Sequence, residues 1–263
     1  MPNEFDGSAK NYDAVFSFSE IGKAQRDRVH HYLKEHILKK AKGKKLNILE
    51  INCGTGEDAN FFNQQGHQVL ATDISTKMIE EAKNKYSETS IRFQILDITK
   101  LETEQFRDPF DLIFSNFGGL NCIDKKDLKR FIEVSKDLLH PSGKMVLVIM
   151  PKKCLWERLY FIVKGQFKKA FRRNTIKSIQ SNVDGVKVPT WYYSPNELIR
   201  ISRAHFNTIM IKPIGICIPP SYLEPYFRNK KILLKWFIGW ESSFSQRIWS
   251  NYADHFIIIL QKK

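Results

Sequence analysis

Ile48-Leu49-Glu50-Ile51-Asn52-Cys53-Gly54-Thr55-Gly56-Glu57-Asp58-Ala59 decides the fold: a short apolar run breaks into a glycine-rich turn and reopens as a helix. Such a turn lets a ligand approach backbone that a side chain would otherwise cover. Thr72-Asp73 closes the next apolar run, with Asp73 19 residues beyond Gly54. An acidic residue at the tip of a second strand can accept bonds from two ribose hydroxyls. A nucleoside-bearing ligand at the carboxyl ends of the strands is expected.

Outward from that turn, apolar runs alternate with helical patterns. Leu46–Ile51, Gln68–Thr72, Ile91–Leu96, Phe110–Phe114 and Lys144–Met150 read as buried strands, and Thr76–Tyr86 and Lys125–Leu139 as amphipathic helices between them. Strand and helix in alternation mean βαβ units, a parallel sheet and helices on both faces. Ile21–Leu38 predicts a helix ahead of the first strand, and Lys39–Lys45 a basic connector. Beyond Pro151, Ser194 is a natural N-cap with Pro195 in the first helical position and Glu197 completing a capping box. Phe206–Lys212 and His255–Leu260 predict two further strands. The expected architecture is a doubly wound, mostly parallel seven-stranded α/β sheet with helical inserts after strands 5 and 6. One domain over 1–263 is expected: a helical cap (1–45), a cofactor core (46–150), a basic insert (152–190) and a C-terminal part (194–263) holding an insert at 213–254.

Gly54-Thr55-Gly56-Glu57-Asp58-Ala59 formally satisfies the dinucleotide fingerprint. Glu50, Glu57 and Asp58 argue against it, because three carboxylates around the turn would repel a pyrophosphate. A ligand carrying an ammonium and a sulfonium suits them, and S-adenosylmethionine is such a ligand.

Glu50 to Gly56 resembles the first motif of the class I S-adenosylmethionine-dependent methyltransferases, whose fold is Rossmann-like. Ala71 to Met78 resembles the second motif, in which the acidic residue, here Asp73, binds the ribose. Leu96-Asp97-Ile98 resembles the third, where the acid contacts the adenine amine. Phe110 to Asn116 resembles the fourth strand with its loop, and Leu138 to Lys144 the turn into the fifth. Phe5 to Asp13 resembles the leader of the ubiquinone- and menaquinone-type, small-molecule branch, in which an aromatic folds over the cofactor. The resemblance therefore implies a cofactor-binding set of Tyr12, Arg26, Glu50, Asn52, Gly54, Gly56, Asp73, Ile74, Met78, Asp97, Ile98, Asn116 and Phe117, with Arg26 meeting the methionyl carboxylate. Asn52 departs from the family, which often has glycine or another small residue there; Asn is the non-glycine residue best able to adopt a left-handed backbone.

Methyl transfer from a sulfonium is an in-line displacement, so positioning supplies much of the acceleration and a base need not exist. No catalytic residue is assigned from sequence: His140 reads as a turn residue, His205 as a helix-end cation and His255 as a structural strand opener. Asn121 reads as a loop-stabilising turn residue or as one that orients the acceptor.

Hydrophobic residues are 42% and charged residues 27% of the 263, a globular balance that excludes disordered and collagen-like chains. Lys and Arg number 22 against 22 Asp and Glu over residues 1–150, so the whole net charge of +14 falls in the last 113 residues. Such asymmetry points to an anionic partner or to a solvated basic face. Within Lys152–Lys187, Trp156, Tyr160, Val163, Phe167 and Phe171 recur at intervals of 4, 3, 4 and 4, one stripe on a helix that Gly165 interrupts, with Lys164, Lys168 and Arg172 beside it. That helix reads as a mobile lid over an apolar acceptor, or as a helix lying at an anionic membrane surface. Cys53, Cys122, Cys154 and Cys217 are too far apart for a zinc site or a disulfide framework, so no metal is expected. No run reaches the ~18 apolar residues of a membrane span and Met1–Asp6 lacks a secretory pattern, which places the chain in the cytoplasm, with peripheral membrane contact through its basic half. The expected activity is methyl transfer to a small, apolar or amphiphilic acceptor, with S-adenosylhomocysteine as product. The competing reading, an RNA methyltransferase gripping phosphate with the basic half, is disfavoured by the absence of both a recognition module and an Asn/Asp-Pro-Pro-Tyr/Phe sequence after strand 4.

Overall fold

The computed structural model describes residues 4–7, 9–183 and 185–263. Met1, Pro2, Asn3 and Ser8 of the leader and Asp184 of the basic insert lie outside the described residues.

A short helix α1 (Ala9–Tyr12) leads to α2 (Glu20–Leu33), whose first turn is capped by Ser19 Oγ accepting from Gly22 N. The core then alternates as expected: β1 (Asn47–Ile51), α3 (Glu57–Gln64), β2 (Gln68–Asp73), α4 (Thr76–Lys85), β3 (Arg92–Ile95), β4 (Phe110–Ser115), α5 (Lys125–Leu138) and β5 (Leu139–Ile149). The second half contributes α6 (Leu155–Val163), α7 (Phe167–Ala170), a hairpin β6 (Ile179–Val183) and β7 (Val186–Thr190), α8 (Pro195–Ser202), β8 (Phe206–Ile214), α9 (Glu224–Phe227), α10 (Lys231–Glu241) and β9 (His255–Lys262).

One seven-stranded sheet runs β3-β2-β1-β4-β5-β9-β8. β9 is antiparallel to both neighbours and every other pairing is parallel. Alternate residues of β1 feed opposite faces: Leu49 and Ile51 pack with Phe131 and Ile132 of α5, while Ile48 packs with Val29 and Leu33 of α2 and Phe62 of α3. Strand order reverses between β1 and β4, and the crevice beyond the carboxyl ends of those strands is where such sheets bind ligands. Because β9 runs antiparallel, its first residues stand level with the end of β5, with Phe256 opposite Ile149.

The expected helix from Trp156 to Phe171 does not form as one element. α6 stops at Val163 because Gly165 takes a left-handed φ of +66°. Gln166 N then bonds Phe161 O at 2.8 Å and Gly165 N bonds Ile162 O at 2.9 Å, a closing turn that only a residue without a Cβ adopts readily. The stripe is divided: Trp156 packs edge-on against Phe227 and Phe237, whereas Val163 is 86% exposed and Phe167 and Phe171 also face solvent. Arg172 does not share a free basic face with Lys164 and Lys168, because its Nε donates to Glu157 Oε1 at 2.8 Å. The β6–β7 hairpin was not expected; the Asp184-Gly185 dipeptide, a tight-turn signature in sequence terms, is the signal that marks it.

Candidate functional site

The turn after β1 is built from left-handed residues. Asn52 has φ +56°, Gly54 +53° and Gly56 +85°, so asparagine does supply the conformation the departure at Asn52 requires. A Cβ at Gly56 would come within 2.9 Å of Phe93, and one at Gly119 within 2.4 Å of Asn52. The turn therefore packs tightly beneath and against the loop that follows β4.

Asp73 ends β2 and braces the turn: its carboxylate accepts from Gly54 N at 3.0 Å and from Ser75 N at 2.9 Å. Burial raises its pKa despite those donors. Asp97, after β3, accepts from Thr99 N at 3.0 Å. Asn116 and Phe117 follow β4, and Phe117 holds φ +39°. Tyr12 reaches the same place from α1, where burial pushes its phenol up to about 12.

Asp58, in the first turn of α3, gathers three partners: Arg26 Nε at 3.4 Å, His30 Nε2 at 2.6 Å and Asn116 Nδ2 at 2.9 Å. Burial alone would raise its carboxyl, but the Arg26 guanidinium and His30 override that and hold it down to about 2. Arg26 also lies over the Phe117 ring at 5.6 Å.

The carboxylate argument for a cationic ligand needs correction. Glu57 is taken by Lys85 and by the Tyr86 hydroxyl, and Asp58 by the three groups above. Glu50 is 1% exposed, with Oε2 unpartnered and its carboxyl raised well above the usual range by burial. None of the three stands free around the turn as an open cation trap.

A cavity of about 670 Å³ opens over these loops. Tyr12, Arg26, Asn52, Gly54, Asp73, Ile74, Met78, Asp97, Ile98, Asn116 and Phe117 all line it. Glu50 lies beneath the turn and Gly56 caps α3, and neither reaches the cavity wall. The wall fits a nucleoside: Ile74, Met78 and Ile98 form an apolar slot flanked by the Asp73 and Asp97 carboxylates. Beside it Arg26 lines the same cavity, its guanidinium held by the Asp58 carboxylate.

The sequence places the basic insert over an acceptor but does not identify the residues of the rest of the opposite wall. That wall comes from Arg172 and Arg173, the β7 residues Val188, Pro189 and Thr190, and Tyr192, Tyr222, Asp254 and His255. Arg173, 6% exposed, ties the wall together by donating from Nε to Glu157 Oε2 at 2.9 Å and from Nη2 to Asp254 Oδ1 at 3.0 Å. Glu241 holds the loop after β8, its two oxygens accepting from the backbone N–H groups of Gly215, Ile216, Cys217 and Ile218 at 2.7–3.2 Å. Asn121 is a clamp between strands: Nδ2 donates to Trp191 O at 2.6 Å and Oδ1 accepts from Met150 N at 2.9 Å. Neither His140 nor His205 lines the cavity, whereas His255 does. Among the described residues no group of three or more His, Cys, Asp or Glu could hold a metal ion, and no helix is long and apolar enough to cross a membrane.

Residues 48–143 match the family model of a methyltransferase domain. An uncharacterized protein of Methanocaldococcus jannaschii is 27% identical over 202 residues, covering 74% of this chain and 70% of that protein. The malonyl-[acyl-carrier protein] O-methyltransferase of Acetivibrio thermocellus is 32% identical over 114 residues, covering 43% of this chain and only 36% of its own length. In fold, the chain is similar to the magnesium protoporphyrin IX methyltransferase of Synechocystis PCC 6803 solved with bound S-adenosylhomocysteine, with a TM-score of 0.58 at 15% identity over 92% of this chain and 85% of that one.

Proposed function

We propose that this class I S-adenosylmethionine-dependent methyltransferase, working as one domain, transfers its methyl group to a small apolar or amphiphilic acceptor. The observation that carries the reading is that one cavity is lined both by the expected cofactor residues and by the largely apolar set Ile123, Met150, Val188, Pro189 and Tyr192. A concave, mostly apolar chamber with a few polar groups is what a small ligand needs.

The cofactor supplies a methyl group on a sulfonium leaving group. Asp73 takes the ribose hydroxyls, Asp97 the adenine amine, and Ile74, Met78 and Ile98 flank the base. Arg26, steadied by Asp58, meets the methionyl carboxylate. Asn52 and Gly54 give close backbone approach, Glu50 and Gly56 support the turn from behind, and Tyr12 folds over the cofactor. Asn116 and Phe117 stand beside the reacting methyl. The β6–β7 hairpin and Arg173 close the acceptor side as a lid that excludes water.

On this reading the chain works in the cytoplasm, with its basic half in peripheral contact with an anionic membrane surface. Exposed Val163, Phe167, Ile232, Trp236 and Trp240 interspersed with Lys164, Lys168 and Lys235 support that contact. RNA is disfavoured because Arg172 and Arg173 of the cavity wall are already committed to Glu157.

Transfer of labelled methyl from S-adenosylmethionine to a total cell extract tests the reading. Label should enter the organic-soluble small molecules, and the protein should bind vesicles containing phosphatidylglycerol more tightly than heparin. Label recovered in RNA, with steeply salt-dependent heparin binding, would overturn it.

A further inference from the structure

His255 opens β9 opposite Ile214 of β8, at the edge of the sheet where the cavity lies. It is 9% exposed and lines the cavity. Its ring stands edge-on to Phe117, centroids 5.3 Å apart, on the loop assigned to the reacting methyl. The two ring nitrogens face different surroundings. Nδ1 is buried and lies 3.3 Å from Asp254 Oδ2, within ion-pair distance but without an aligned hydrogen bond in this structure. No hydrogen bond reaches Nε2 from any described residue, so Nε2 is the nitrogen open to the cavity.

Asp254 is held from several sides. Arg173 Nη2 donates to Oδ1 at 3.0 Å, and Gln25 Nε2 donates to Oδ2 at 3.3 Å. These parts come from α2, from the segment after α7 and from the approach to β9, and together they serve one imidazole. A carboxylate beside one ring nitrogen favours the tautomer that carries its proton there, which leaves the other nitrogen as an acceptor.

We propose that His255 Nε2 accepts the proton of a hydroxyl acceptor during methyl transfer, with Asp254 as the positioning residue. This rests on the small-acceptor reading and narrows it to a compound methylated on a hydroxyl oxygen. The O–H bond breaks and its proton moves to Nε2. The oxygen forms a bond to the methyl carbon, and the sulfur–methyl bond breaks with its electron pair kept on sulfur, giving a neutral thioether. The imidazolium faces the Asp254 carboxylate, then returns its proton to water. A neutral amine can attack before losing a proton and a carboxylate has none to lose, whereas a hydroxyl must give up its proton as the methyl arrives.

The remaining charged and titratable groups around the pair include Arg173 and Arg172 with their partner Glu157, Cys154, whose Sγ donates to Asp254 Oδ1 at 3.9 Å, Arg26 across Phe117, and Tyr192 and Tyr222 along the same wall. Burial would raise the Asp254 carboxyl, but His255 and Arg173 hold it far below the usual carboxylate range, so it stays ionised wherever the enzyme works.

Nitrogen-15 NMR of histidine-labelled protein, assigned by His255→Gln, tests the base without any turnover. The neutral ring should carry its proton on Nδ1, and Asp254→Asn should weaken that preference; a neutral ring protonated on Nε2 would overturn the proposal. In the labelled-extract assay, His255→Gln should lower kcat by roughly 100-fold or more with S-adenosylhomocysteine affinity unchanged. The acid-side fall in kcat should vanish with it, and His140→Gln should behave as wild type. Unchanged turnover in His255→Gln, or loss of S-adenosylhomocysteine binding along with turnover, would reduce His255 to a structural residue and overturn the proposal. A product that is a methyl ester or methylamine would overturn the hydroxyl assignment. If wild type labels no small molecule, the acceptor reading fails by itself, and the tautomer measurement still decides whether His255 is built as a base.

Discussion

The two walls of the cavity are assembled in opposite ways. Most of the nucleoside wall comes from loops that follow β1, β2, β3 and β4, and its anchors are local: Asp73 braces Gly54 across 19 residues, and Asp97 and Asp73 each bond backbone two residues on. The acceptor wall mixes near and far joints, with Glu157 taking Arg172 and Arg173 across 15 and 16 residues. Asp254 is bonded by Arg173 across 81 residues and by Gln25 across 229, and a loop at 215–218 hangs on a carboxylate more than twenty residues later. Charge divides the same way: residues 1–150 are neutral, and the second half carries +14 yet buries three of its six acids, Glu157, Glu241 and Asp254. The lesson is that turn geometry shapes most of the first wall, with one buried joint at Asp58, whereas the second is held mainly by buried ionic joints.

If that contrast is right, stability should be more sensitive on the acceptor side. Glu241 is 2% exposed and serves four backbone donors. Glu241→Ala leaves those N–H groups without partners and should cost about 3–5 kcal/mol in urea unfolding. A loss under 1 kcal/mol would break the comparison.

On the nucleoside side the large effect should appear in binding. Asp73→Ala should weaken S-adenosylhomocysteine by roughly 100-fold, about 3 kcal/mol, because two charge-assisted bonds go. Calorimetric titration reads this directly, and unchanged affinity would remove Asp73 from the ribose.

Acid sharpens the contrast further. The folded-state pKa of Asp58, about 2, lies below the ordinary carboxylate value near 4. A depressed folded value adds stability above the unfolded pKa, and that stability drains away as pH falls from about 4 through 2. Its size is about 2 kcal/mol. Asp58→Asn should lower the urea midpoint at pH 7 and flatten the wild-type fall between pH 4 and 2. Identical slopes for the two proteins would show that Arg26 and His30 do not stabilise the charged form.

What could be read from the residues alone follows the same division. The β1 turn, the order of strands and helices through β5, the cap at Ser194 and eleven of the thirteen expected cofactor residues at the cavity wall were legible. Each depends on neighbours a few positions apart, where periodicity and turn chemistry act. Glu50 and Gly56 carry the same motif, yet a carboxylate's depth below a turn is invisible in a string of letters. The helix break was half legible: Gly165 is plain in the sequence, but the left-handed φ that ends α6 there is not.

The sequence by itself determined the sheet, the left-handed turn at Asn52–Gly56 and the placement of Asp73 and Asp97 at strand tips, because these are set by local backbone preference and burial period. Only the tertiary structure decided that Glu57 and Asp58 are already paired, that Arg172 and Arg173 serve internal acids rather than a solvent face, and that His255 looks into the cavity from an antiparallel strand. The physical reason is range. A hydrogen bond between residues 25 and 254 leaves no periodic trace, and its partners are chosen when packed layers bring distant chain segments together and a buried charge must find its counterpart.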